Sequence, residues 1–221
     1  MCVTPPFSLN NQKQGMIMKD YKVKYEPKSL ADMVIHDPNN EIMPMLKRMA
    51  IGQLNQNLLL YGTNGTGKTT LAKVLTSEFY KAHGEQDTTH YVEMANEEDD
   101  RNYGPNKTAF QWSSSGVSWH ILDEVEKCTH KNVYNVLHHT LDNKHGHKYI
   151  LTANQIVNIP NGILSRARPI PIDCPTPAEF LPRAKFILQQ ECVVASDEKI
   201  LAVLSAAERD LRRYYDALEW L

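Results

Sequence analysis

The 221 residues predict an α/β fold, a parallel sheet flanked by helices and followed by a small three-helix lid. Three observations lead to it. Short apolar or β-prone runs alternate with helical or loop material, as a parallel sheet covered on both faces requires. A glycine-rich loop stands between the first of those runs and a helix. Beyond Asp173 the strand pattern ends and the composition turns helical.

Residues 1–20 read as a flexible extension containing Pro and Asn, with no charged start followed by an apolar stretch; neither a signal peptide nor a membrane span is supported. Asn57 to Tyr61 (NLLLY) is too short for a buried helix and breaks at Gly62, so it reads as a buried strand. From Lys68 the pattern changes: Leu71, Val74, Leu75 and Phe79 recur at helical spacing until Gly84. Further strands are expected at Thr89–Met94, Val117–Leu122, Lys148–Ala153 and Pro169–Ile172. Thr176-Pro177-Ala178-Glu179 supplies an N-cap, a proline at the first helical position and a capping-box glutamate, opening a helix to Val193. Ser196 with Asp197 and Glu198 opens a second, and Asp210 to Leu221 makes a third. The expected organisation is an extension over 1–20, a core over 21–173 and a helical lid over 174–221.

Hydrophobic residues make up 42% and charged residues 23%, as in an ordinary globular protein, and the net charge of -2 argues against coating nucleic acid by overall charge. Four separated cysteines form no metal spacing or disulfide framework and fit reduced thiols in a cytoplasm. His130, His138, His139, His145 and His147 gather near Cys128, but they lack the close ligand pairs of a zinc site, and helix-face or loop positions account for them.

Gly62-Thr63-Asn64-Gly65-Thr66-Gly67-Lys68-Thr69, followed by Thr70, fits G-x-x-x-x-G-K-[ST] between strand and helix. Its glycines let successive backbone N–H groups face the β-phosphate of a nucleotide. Lys68 brings a charge to the β- and γ-phosphates, and the Thr69 hydroxyl ligates Mg²⁺. A second motif follows, an apolar strand ending in acids, His120-Ile121-Leu122-Asp123-Glu124. Asp123 would hold magnesium through a water, and Glu124 would polarise an attacking water as general base.

These residues resemble the small subunits of clamp loaders, the AAA+ P-loop NTPases that open sliding DNA clamps. Lys24-Tyr25-Glu26-Pro27-Lys28-Ser29-Leu30 resembles the family's K-Y-R-P-K-T-L segment beside the adenine, Asn135 to Lys144 the helix after its D-E box, Ser165-Arg166-Ala167-Arg168-Pro169 its S-R-C signature, and Asp210-Leu211-Arg212-Arg213 its G-D-x-R lid motif. The resemblance implies that Tyr25 and Pro27 help bind ATP. It makes Asn154 sensor 1, orienting the attacking water, Arg212 sensor 2, reaching the γ-phosphate from the lid, and Arg166 an arginine finger acting in trans. Glu93 to Arg101 resembles N-A-S-D-D-R ahead of a helix facing DNA and clamp, which makes Arg101 and Lys107 candidate contacts for template phosphates. Phe110 and Trp112 are a candidate anchor for a clamp pocket, with core packing the alternative.

There are departures. Glu26 stands for the usual arginine, His138 and His139 for a basic pair, and Ala167 for the cysteine. No counterpart of the family's C-terminal collar is expected within these residues, which leaves open a minimal, virus-encoded form or partners that supply the missing contacts. The expected function is an ATP- and Mg²⁺-dependent clamp-loader subunit in the cytoplasm, stimulated by DNA and partner protein. It would work with other AAA+ subunits, a sliding clamp and primer-template DNA. The alternatives are a helicase loader or branch-migration motor, and a weakly hydrolysing nucleotide-dependent scaffold.

Overall fold

Leu58, Leu59 and Leu60 have no exposed surface. Successive side chains of a strand point to opposite faces, so such a run is buried only where both faces are covered. In the computed structural model, which describes residues 20–94, 115–127, 137, 141–142 and 146–221, both are. Strands β1 (Leu58–Tyr61), β2 (His90–Glu93), β3 (Ser118–Asp123), β4 (His147–Ala153) and β5 (Arg168–Pro171) pair in parallel in the order β2-β3-β4-β1-β5. The first strand therefore lies inside the sheet, with Leu59 opposite Leu151 on one side and Pro169 on the other.

Helices α1 (Tyr21–Lys24), α2 (Ile42–Ala50) and α3 (Lys68–Ala82) precede β2. Leu46 and Met49 of α2 and Leu71, Leu75 and Phe79 of α3 cover one face, packing with Leu58, Leu60, Trp119, Ile121 and Ile150. The Trp119 ring meets Phe79 edge-on at 5.6 Å. Leu59, Leu122, Tyr149 and Leu151 line the other face with Leu137, Leu141 and Ile163, the last from the short α4 (Asn161–Leu164). Truncating any of these buried leucines to alanine costs about 2–5 kcal/mol. Asn57 is a polar bolt ahead of β1: its amide donates to the carbonyls of Leu141 (3.1 Å) and Arg166 (3.2 Å) and accepts from the Tyr149 N–H (3.1 Å).

After β5 come α5 (Pro177–Gln190), α6 (Asp197–Ala206) and α7 (Leu211–Glu219). The Thr176–Glu179 capping box opens α5 as expected, and Ser196 and Asp210 cap the next two. Helix α5 stops at Gln190, three residues short of the expected end, because the chain turns through Cys192 at φ 58°. These helices share an apolar cluster with Tyr21 and Tyr25, from the segment that the sequence assigns to the core. Polar links reinforce that packing: the Tyr21 N–H donates to Glu219 (2.5 Å), Lys22 pairs with Asp216 (2.8 Å), and Arg183 donates to the Tyr25 carbonyl (3.0 Å). A few residues later Leu30 and Met33 join the α2–α3 cluster, and the Leu30 N–H donates to Glu78 (2.7 Å). Residues 20–33 thus strap the helical part to the sheet part, and the groove between the two holds the candidate site.

No helix among the described residues is long and apolar enough to cross a membrane. Arg101, Lys107, Phe110, Trp112, Cys128, His130, His138, His139 and His145 lie outside the described residues, as does most of Asn135–Lys144.

Candidate functional site

The loop between β1 and α3 turns where only glycine fits. At Gly62 a Cβ would lie 2.2 Å from the Ile172 carbonyl oxygen, and at Gly65, with φ 78°, a Cβ would lie 2.3 Å from an Asp210 carboxylate oxygen. Helix α3 begins at Lys68, and the unpaired N–H groups of its first turn make an anion site. The Lys68 ammonium is held beneath the loop by the carbonyls of Gly62 (2.8 Å) and Thr63 (2.7 Å) and by Asn154 Oδ1 (3.2 Å). Burial pulls its pKa below the usual lysine value, against the opposing charges of Glu126, Asp123 and Glu124.

Asp123, at the end of β3, is the hub. It accepts from the hydroxyls of Thr69 (2.8 and 3.1 Å to its two oxygens), Thr152 (2.5 Å) and Tyr91 (2.7 Å). Burial first, and then the bond to Asp123, push the Tyr91 phenol above its usual pKa. Glu124 follows at φ 57°, a conformation that costs a non-glycine residue about 1–3 kcal/mol and is fixed here by its N–H donating to Thr152 Oγ1 (2.9 Å). Its carboxylate takes a charge-assisted bond from Lys127 at 2.5 Å. The Asn154 N–H donates to Glu126 Oε1 (2.8 Å), which aims the Asn154 side chain back at Lys68.

A cavity of about 310 Å³ runs from the phosphate loop to the helical part. Asn64, Gly65, Gly67, Lys68, Thr69, Thr70, Glu124 and Asn154 line it from the sheet part, and Pro27, Met33, Leu211, Arg212 and Tyr215 complete its wall. Residues drawn from the phosphate loop, the first turn of α3, the ends of two strands, β3 and β4, and the last helix therefore meet in one space. Thr69 and Asp123 supply hard oxygen donors beside a lysine and a helix N-terminus, a set that fits Mg²⁺ together with phosphates.

Three sequence-predicted residues stand apart. Tyr25 does not line the cavity; its ring packs in the helical cluster and its hydroxyl donates to Glu191 at 2.5 Å. Thr66 is buried with its hydroxyl donating to the Thr63 carbonyl (3.1 Å), so it shapes the loop. Arg166 lies outside the cavity, paired with Asp142 at 2.8 Å and donating to the Gly162 carbonyl at 3.0 Å. Among the described residues no group of three or more His, Cys, Asp and Glu side chains is arranged around a metal; His147 instead meets His120 across 2.9 Å. Tyr91, Thr152, Glu126 and Lys127 escape a sequence reading. For Glu126 and Lys127 the signal was proximity to the acidic pair; for Tyr91 and Thr152 it exists only once the neighbouring strands are in register.

Residues 54–166, about half of the chain, match the AAA domain family. Replication factor C subunit 5 of Mus musculus is 26% identical over 207 residues, covering 89% of this chain and 58% of its own length. Replication factor C small subunit 2 of Pyrobaculum arsenaticum is 29% identical over 205 residues, covering 89% and 61%. The chain thus spans about three fifths of these curated relatives. Among solved structures, the Thermotoga maritima RuvB Holliday junction branch migration motor superposes with a TM-score of 0.69 at 18% identity, over 88% of this chain and 64% of that one, a likeness of fold. With the five-stranded parallel sheet, the phosphate loop and the acidic strand end in place, the chain belongs to the AAA domain family, as an AAA+ protein similar to replication factor C small subunits.

Proposed function

We propose that this chain is an ATP-hydrolysing subunit of a DNA sliding-clamp loader. The observation that carries the reading is the cavity in which Lys68, Thr69, Glu124, Asn154 and Arg212 meet, beside Asp123, in a chain similar to replication factor C subunits over 89% of its length.

Loop N–H groups and the first turn of α3 receive the β-phosphate, and Lys68 neutralises the β- and γ-oxygens. Thr69 and Asp123, the latter through a water, would hold Mg²⁺, whose charge would offset that of the phosphates. Glu124 takes the proton of the attacking water, and Asn154, steadied by Glu126, orients that water. Arg212 reaches the γ-phosphate from the helical part, so residues 174–221 act as the lid. Pro27 and Met33 flank the base, and Tyr25 braces that wall from behind.

Arg166 acts on a neighbouring subunit. Its pair with Asp142 is partly exposed, with side chains 32% and 55% accessible, so exchanging Asp142 for a neighbour's phosphate costs little. ATP assembles subunits around a clamp, primer-template DNA meets Arg101 and Lys107, and hydrolysis releases the clamp.

The test is steady-state ATP hydrolysis by wild-type protein, Lys68→Ala and Glu124→Gln, with and without primer-template DNA and a sliding clamp. Expected are stimulated hydrolysis by the wild type, loss of nucleotide binding in Lys68→Ala, and retained binding with hydrolysis down about 100-fold or more in Glu124→Gln. Wild-type turnover no faster than either variant under all conditions sinks the enzyme reading.

A further inference from the structure

Asp123 ends β3, and the two strands beside it each send a hydroxyl to its carboxylate. The register pairs Glu93 of β2 with Asp123 and Tyr91 with Ile121, so Tyr91 is the diagonal neighbour of Asp123 on the same face, within reach of a long aromatic side chain. Its phenol donates to Asp123 Oδ2 at 2.7 Å. From β4 on the opposite side, Thr152 donates to Oδ1 at 2.5 Å. Thr69 touches both oxygens, at 2.8 and 3.1 Å, but is itself a proposed magnesium ligand. Tyr91 and Thr152 are therefore the two donors free to hold the carboxylate when Thr69 turns to the metal.

Carboxylate rotation about its last torsion is soft, so one donor leaves it free to swing and two donors from opposite strands pin it. Tyr91 sits on the edge strand and is 40% exposed, but its ring is held in turn: the Lys73 ammonium, from α3, lies 4.5 Å over its centroid. Both β2 and α3 thus hold the phenol in place.

We propose that Tyr91 is a positioning residue that fixes the orientation of the Asp123 carboxylate toward Mg²⁺. The proposal rests on the nucleotide-and-magnesium reading of this site. Metal sites depend on partners that orient the ligating groups, and losing one such partner commonly weakens metal binding or activity about 10–100-fold.

Tyr91→Phe removes the donor and keeps the ring over which Lys73 sits. The measurement is binding of a fluorescent ATP analogue, titrated with Mg²⁺ and repeated in EDTA, with thermal melting alongside. Expected is a magnesium concentration for half-maximal enhancement raised about three- to tenfold, at or below the low end of the range for such partners because Tyr91 acts through Asp123 and its water, with affinity in EDTA within about twofold of wild type and an almost unchanged melting temperature. An unaltered magnesium requirement in Tyr91→Phe overturns the proposal. So does a variant whose melting temperature and EDTA affinity fall together while the magnesium requirement stays put, since that is the mark of a packing role. Wild-type binding that is indifferent to Mg²⁺ overturns the magnesium reading of Thr69 and Asp123, and this proposal with it; failure confined to Tyr91→Phe leaves that reading standing.

Discussion

The backbone N–H of Leu211, the first residue of the last helix, donates to the carbonyl of Gly65 in the phosphate loop across 3.0 Å. The C-terminal helices and the loop are thereby joined by main chain, with the Asp210 carboxylate lying where a Gly65 Cβ would project. A side chain at Gly65 would have to adopt a positive φ and push that carboxylate aside.

Gly65→Ala forces a Cβ to within 2.3 Å of Asp210 Oδ1 at a φ of 78°. Asp210 caps α7 by accepting from the Arg212 N–H (2.8 Å), so the clash reaches the lid helix and Arg212 together. The expected cost is about 1–3 kcal/mol, a fall in Tm of about 2–12 °C for a chain of this size. Calorimetry should record it, with nucleotide affinity weakened in the same variant.

Lys127 occupies the Glu124 carboxylate at 2.5 Å, the group proposed to accept a proton from water. The lysine side chain is 50% exposed, so solvent screens the pair and keeps it weak. Lys127→Ala should therefore raise basal ATP hydrolysis by at most about fivefold, without changing nucleotide affinity. A fall in basal rate would mean that Lys127 assists the step instead of competing with it.

His120 is buried on β3, stacked on Tyr149 with ring centroids 4.8 Å apart. Burial, with the neighbouring His147 and His90, lowers its pKa from 6.5 to about 3. Between those values the unfolded chain binds a proton that the folded chain refuses, so stability falls as pH drops from about 6.5 toward 3, by up to about 1.4 kcal/mol per unit. Above pH 7 this contribution is fully present. Denaturant unfolding of His120→Gln between pH 7 and pH 5 should show a shallower slope than wild type, whatever its absolute stability.

Glu208 and Arg209 both adopt φ 53°. Glu208→Gly relieves about 1 kcal/mol of left-handed strain and gives up only an exposed pair with Arg213. Melting should rise by about 2–4 °C. Arg209→Gly should gain less, because it also loses the bond from the Arg209 guanidinium to the Cys174 carbonyl at 2.7 Å.

Local sequence was enough wherever neighbours along the chain decide the outcome. The strand at Leu58, the helix starting at Lys68 and the capping box at Thr176 all depend on backbone sterics, capping and a repeat of apolar residues within a few positions. The acidic strand end was legible for the same reason. Helix α2 escaped notice despite its buried Leu46 and Met49, since its cap comes from outside the N-cap position: Glu41 makes no side-chain cap bond, and Asp37, four residues earlier, accepts from the Glu41 and Met43 N–H groups instead. Tyr25 was assigned to the nucleotide by the resemblance of the Lys24–Leu30 segment, but its aromatic ring is buried with Phe180 and Tyr214 in the helical cluster.

The sequence by itself determined the fold class, the phosphate loop and the Asp123-Glu124 pair, because glycine spacing and strand-end acids need only their own segment to form. Tertiary structure alone decided who holds those groups. Strand order brings Tyr91 and Thr152 to either side of Asp123 from 32 residues before it and 29 after it. Docking of the C-terminal helices brings the Leu211 N–H onto the Gly65 carbonyl. Hydrogen bonds between distant segments depend on register and docking, and those follow from burying apolar faces on both sides of the sheet and beneath the lid.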